Sequence, residues 1–156
     1  MKDWFDVWFD SPYYHLLYKD RNNKEAEKFI KKLMLHLAPQ KDSKFLDVAC
    51  GKGRHSIHIN SYGFHTTGID LSKNSIDIAQ KNQNSSLIFS QHDMRNPFKK
   101  NEYDYAVNLF TSFGYFDDNE DNQKTITAIS NSLKDKGKFI IDQFFVQNLS
   151  KELKLY

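Results

Sequence analysis

The chain has 156 residues, 39% hydrophobic and 15% aromatic, with a formal charge of +2. That is enough for one compact domain with a real core, and too apolar for a disordered chain. Lys and Arg are spread rather than clustered, so no electrostatic footprint for nucleic acid is expected, and no apolar run is long enough to span a bilayer. A single cysteine, Cys50, makes no internal disulfide, and the opening residues Met1 to Trp4 do not read as a signal peptide, so the expected compartment is the cytoplasm.

Along the chain, helical and extended periods alternate. Residues 24–38 set Ala26, Phe29, Ile30, Leu33, Met34 and Leu37 at helical spacing, and Pro39 stops the run. Phe45 to Cys50 is a short apolar strand entering the turn Gly51-Lys52-Gly53, followed by a helix over 54–62 that Gly63 closes. Residues 65–70 form a β-branched second strand, after which Ser72 caps a helix running to about Asn82. Leu87 to Phe89 is a third strand and Tyr103 to Leu109 a fourth, joined by a link too short for a substantial helix. A helix over 119–133 and a fifth strand from Phe139 to Phe144 complete the order. Strands and helices alternating at this spacing predict an α/β fold with a doubly wound, mostly parallel sheet. The chain stops about a dozen residues past the fifth strand and reads as part of a longer protein.

In such sheets ligands bind outside the carboxyl ends of the strands, so the residues there are the candidates for chemistry. In Asp47 to Gly53, the small residues Ala49, Gly51 and Gly53 form a tight turn that lets a ligand approach backbone amides at a helix N-terminus. Asp70 ends the second strand at close to the spacing of roughly 20 residues at which an acid takes ribose hydroxyls. Asp93 follows the third strand, where a carboxylate accepts from an adenine amino group. After the fourth strand, Asn108 to Phe116 is a loop rich in aromatics, which either pack locally or line the mouth of a site.

Taken together, Asp47-Val48-Ala49-Cys50-Gly51-Lys52-Gly53-Arg54-His55, Gly68-Ile69-Asp70-Leu71-Ser72, His92-Asp93-Met94-Arg95 and Asn108 to Tyr115 resemble the successive motifs of class I S-adenosylmethionine (SAM)-dependent methyltransferases. The likeness covers about residues 10–146 and is nearest to bacterial members that modify small molecules. It implies a Rossmann-like fold with SAM as cofactor. It also implies that Asp47, Ala49, Cys50, Gly51 and Gly53 surround the methionine part, that Asp70 takes the ribose, that Leu71, Asp93 and Met94 take the adenine, and that Asn108 and Phe110 flank the sulfonium. By the same likeness residues 1–38 form a helical, aromatic lid in which Tyr14 and Tyr18 share a helix face over the cofactor, and 39–156 form the SAM-binding domain. Lys52 departs from the small or hydroxyl residue usual at its place.

Methyl transfer from a sulfonium needs alignment and exclusion of water more than a dedicated base, and no catalytic residue stands out. Metal-ligand spacing is absent. The fourth-strand motif lacks the Pro-Pro-aromatic pattern of base amino methylation, Cys50 sits in the turn rather than as a nucleophile, and only Glu120 stands where protein-arginine enzymes carry two glutamates. A small-molecule acceptor remains, with neither nucleic acid nor membrane as partner. The alternatives are a SAM-binding module without catalysis and an NAD-dependent oxidoreductase, although Ser56 stands where the latter needs a third glycine. A fifth strand at the sheet edge would be open to pairing with a second copy in a homodimer.

Overall fold

The structure is a computed structural model describing residues 23–142 apart from Thr111 and Asp117, together with Ser11 and Tyr13. Its elements are α1 (Asn23–Leu37), β1 (Lys44–Val48), α2 (Arg54–Ser61), β2 (His65–Asp70), α3 (Lys73–Ala79), β3 (Leu87–Gln91), β4 (Tyr103–Asn108), α4 (Asn119–Ser132) and β5 (Leu133–Ile141). The five strands pair in the order β3-β2-β1-β4-β5, every pairing parallel. This is the doubly wound sheet expected from the alternation of periods, and its order reverses between β1 and β4.

Alternation along β1 assigns the two faces. Phe45 packs with Ile30 and Met34 of α1 and Ile59 of α2, whereas Leu46 and Val48 pack with Ile129 of α4. α1 is thus part of a layer: Ala26, Ile30 and Met34, one turn apart, are buried together. A third cluster joins Ile76 and Ala79 of α3 to Leu87 and Phe89 of β3. Local capping explains where the helices begin. Ser75 N–H donates to Ser72 Oγ at 3.1 Å ahead of α3, as expected from the sequence, and Glu120 N–H donates to Asp118 Oδ1 at 2.8 Å ahead of α4.

The fifth strand differs from the expected span. Regular pairing runs from Tyr105↔Lys138 to Asn108↔Ile141, but Leu133 already pairs with Tyr103, and the register shifts between the two. Lys136, at φ +62, lets the chain absorb the extra residues there, an irregularity that an apolar count does not reveal. Residues 143 and 144, expected to end the fifth strand, lie outside the described residues, as do Tyr14 and Tyr18 of the expected lid.

Candidate functional site

The carboxyl ends of β1, β2 and β3, with the loop after β4, form a cleft that opens to solvent. Ala49, Gly51, Asp70, Leu71, Asp93 and Met94 line it, so residues expected from three separate motifs converge on one space. Ser75, His92, Ser112, Tyr115 and Phe116 line it as well. His92 was signalled by its neighbour Asp93, and Tyr115 and Phe116 by the aromatic loop. Ser75 carries no signal in sequence; it reaches the cleft because the first turn of α3 lies beside Asp70.

The turn after β1 is built on left-handed backbone, with φ +58 at Ala49, +55 at Gly51 and +81 at Gly53. Its two glycines serve different ends. A Cβ on Gly51 would meet nothing within 4 Å, so its backbone faces open space in the cleft. On Gly53, a Cβ would stand 2.5 Å from the Phe89 ring, so there glycine is required by packing beneath the turn. Asp70 links the strands: its carboxylate accepts from Gly51 N–H and from Ser72 N–H, each at 2.8 Å.

Other expected residues lie behind the cleft. Asp47, 1% exposed, points toward α2 and accepts from Ser56 Oγ at 2.6 Å. Cys50 packs into the cluster of Ile76 and Phe89 while its N–H donates to Ile69 O at 2.9 Å. Burial, reinforced by the charges of Asp47 and Asp70, pushes its thiol well above the usual range, which removes it as a nucleophile. Asn108, fully buried, donates through Nδ2 to Val48 O at 3.0 Å, while its Oδ1 has no hydrogen-bond partner among the described residues. Phe110, expected to flank the sulfonium, is not among the residues that line the cleft. Its ring stacks on His55 at 4.7 Å, meets Phe29 edge-on at 5.5 Å and carries the Arg54 guanidinium 4.6 Å from its centroid. A positive φ of 59 turns this side chain toward α1 and α2.

Burial pushes the Asp47 carboxyl up to about 7, the Asp70 charge adds to the rise, and the Ser56 hydrogen bond opposes it. An unfolded Asp titrates near 3.8, so between these values the native state keeps a proton that the unfolded chain has lost. The contribution of this group to stability therefore falls as pH rises from about 4 to about 7. Asp47→Asn is expected to abolish that component. The urea stability of the variant relative to wild type should increase from about pH 5 to about pH 8; a constant difference would mean that Asp47 titrates as an ordinary carboxylate.

At the third strand end, Asp93 is engaged by a residue the sequence reading passed over. Arg95 Nε lies 3.1 and 3.0 Å from the two carboxylate oxygens, NH2 donates to Oδ2 at 2.7 Å, and the Arg95 N–H donates to Oδ1 at 2.9 Å. Burial raises the Asp93 carboxyl, but the Arg95 hydrogen bonds and charge outweigh it and hold the group below the usual range. The Asp-x-Arg spacing was the available signal. Among the described residues no group of three or more His, Cys, Asp or Glu is arranged to hold a metal, and no helix is long and apolar enough to cross a membrane.

Sheet order, glycine turn and acid-lined cleft define an α/β domain of the nucleotide-binding kind. A family model described as a methyltransferase domain matches residues 39–155. The chain therefore belongs to the class I SAM-dependent methyltransferases. It is 35% identical over 107 residues to YqeM of Bacillus subtilis, whose name carries a provisional methyltransferase assignment, covering 67% of this chain and 43% of that protein. The glycine/sarcosine N-methyltransferase of Aphanothece halophytica is 30% identical over 128 residues, covering 79% of this chain and 47% of its own. Among solved structures, a SAM-dependent methyltransferase from Clostridium acetobutylicum superposes with a TM-score of 0.68 at 27% identity, over 84% of this chain and 54% of that one. The chain thus spans about half the length of these relatives.

Proposed function

We propose that the cleft binds SAM and that the whole protein methylates a small-molecule acceptor. The observation carrying this reading is the convergence of Gly51, Asp70 and Asp93, from three strand ends, on one cleft with apolar walls. The residues fit an adenosyl group. Asp70 offers an ionisable acceptor for the two ribose hydroxyls, Asp93 an acceptor for the exocyclic amine, and Leu71 and Met94 apolar surface for the ring. The open backbone at Gly51 suits the close approach of the amino-acid end. Asp47, Cys50, Gly53 and Asn108 support this turn from behind.

When bound, SAM supplies a methyl group already activated on a sulfonium. The task of the chain is then to hold and orient that ligand and to keep water from it. Ser112, Tyr115 and Phe116 form one wall of the cleft toward solvent. Residues 39–156 are the binding unit in this reading, with α1 packed against it and the aromatic stretch before α1, including Tyr14 and Tyr18, as its cover. Support for a small acceptor comes from the relatives named for glycine/sarcosine and for an amino sugar nucleotide. Cytoplasmic location belongs to the same proposal.

Incubating the protein with methyl-labelled SAM and a panel of small amines should move label to an amine of the panel. Label that moves to protein or nucleic acid instead would overturn the small-molecule assignment, and SAM binding without any transfer would favour a binding module.

A further inference from the structure

We propose that Arg95 is a positioning residue that presets Asp93 for one donor from the base of the ligand and ties it to the wall of the cleft. The proposal rests on the assignment of the cleft to SAM. Arg95 is not among the cleft-lining residues, yet it touches three things that border or support the cleft. Its Nε and NH2 grip the Asp93 carboxylate, its NH1 donates to Asp121 Oδ2 at 2.7 Å in the first turn of α4, and its guanidinium carbon lies 5.0 Å from the centroid of the Phe116 ring. One side chain therefore joins the end of β3, the loop after β4 and the start of α4.

The fork has a chemical consequence at Asp93. An ionised carboxylate offers about four acceptor positions. Three Arg95 donors, its N–H, Nε and NH2, already engage this one, with Nε shared between the two oxygens, so the orientation of the carboxylate is set before a donor from the ligand arrives. An exocyclic amine supplies one. A base carrying a carbonyl at the same position would set acceptor against acceptor, because an ionised carboxylate has no hydrogen to donate. Arg95 thereby fixes the orientation in which Asp93, acceptor-only when ionised, meets an amino rather than an oxo base. Only arginine provides the planar fork; lysine brings the charge alone.

The test compares S-adenosylhomocysteine (SAH) with S-inosylhomocysteine, its 6-oxo counterpart, by calorimetry on wild type, Arg95→Ala and Arg95→Lys, with unliganded thermal midpoints in parallel. Wild type is expected to prefer SAH by at least about tenfold. Arg95→Ala should bind SAH about ten- to a hundredfold more weakly and lose most of that preference, with Arg95→Lys between the two. SAH affinity should also begin to fall on acidification at a higher pH in Arg95→Ala than in wild type, because burial raises the Asp93 carboxyl once the Arg95 hydrogen bonds and charge are gone. Each preference is a ratio within one protein, so general destabilisation cancels. A variant with a lowered midpoint but an unchanged preference and pH profile would overturn the proposal, leaving Arg95 a structural ion pair. Failure of wild type to bind SAH would instead overturn the assignment of the cleft, and the role of Arg95 with it.

Discussion

Replacing Asp70 by alanine is expected to weaken SAH binding by about a hundredfold to ten-thousandfold. The carboxylate lines the cleft and would take two hydroxyl donors. Hydrogen bonds to a charged group contribute about 1.5–3 kcal/mol each, which sets that range for a pair of them. The substitution also releases Gly51 N–H and Ser72 N–H, both held at 2.8 Å, so part of the loss comes from a turn no longer fixed for the ligand. Asp70→Asn keeps the shape and one acceptor and should lose less. Dissociation constants with thermal midpoints for the three proteins decide the matter: an unchanged constant in a folded Asp70→Ala chain would remove Asp70 from the site.

The two glycines of the first turn should separate stability from binding. Gly53→Ala forces left-handed backbone on a residue with a Cβ and drives that Cβ into the Phe89 ring. About 1–2 kcal/mol for the backbone and about 1–3 kcal/mol for overpacking give an expected loss of about 2–5 kcal/mol. Gly51→Ala carries only the backbone cost, because its Cβ meets open space, but the methyl enters the cleft. Urea unfolding should therefore show Gly53→Ala as the less stable variant, while calorimetry should show weakened SAH binding in a folded Gly51→Ala. The reverse ranking in stability would mean that the Phe89 ring yields easily.

What the sequence revealed and what it hid divide along physical lines. Strand ends were legible because small residues and acids at the close of an apolar run have a local signature, and Asp70 and Asp93 needed only strand order to bring them together. The place of the Phe110 ring was not legible because it depends on a positive φ and on the aromatic pocket of Phe29 and His55, neither of which is a feature of spacing. Arg95, quoted within the third motif, was given no role because its partner Asp121 lies 26 residues away and meets it only through the packing of α4. Within the glycine turn, sequence could not distinguish Gly51, which faces the cleft, from Gly53, which faces Phe89.

The central claim is that the cleft between β1, β2 and β3 takes SAM. Calorimetric titration of SAH into the purified chain, with NAD as control, tests it most directly. We predict saturable one-to-one uptake of SAH, weakened by at least about a hundredfold in Asp70→Ala, and no uptake of NAD. A folded chain that ignores SAH, or that prefers NAD, would contradict the account.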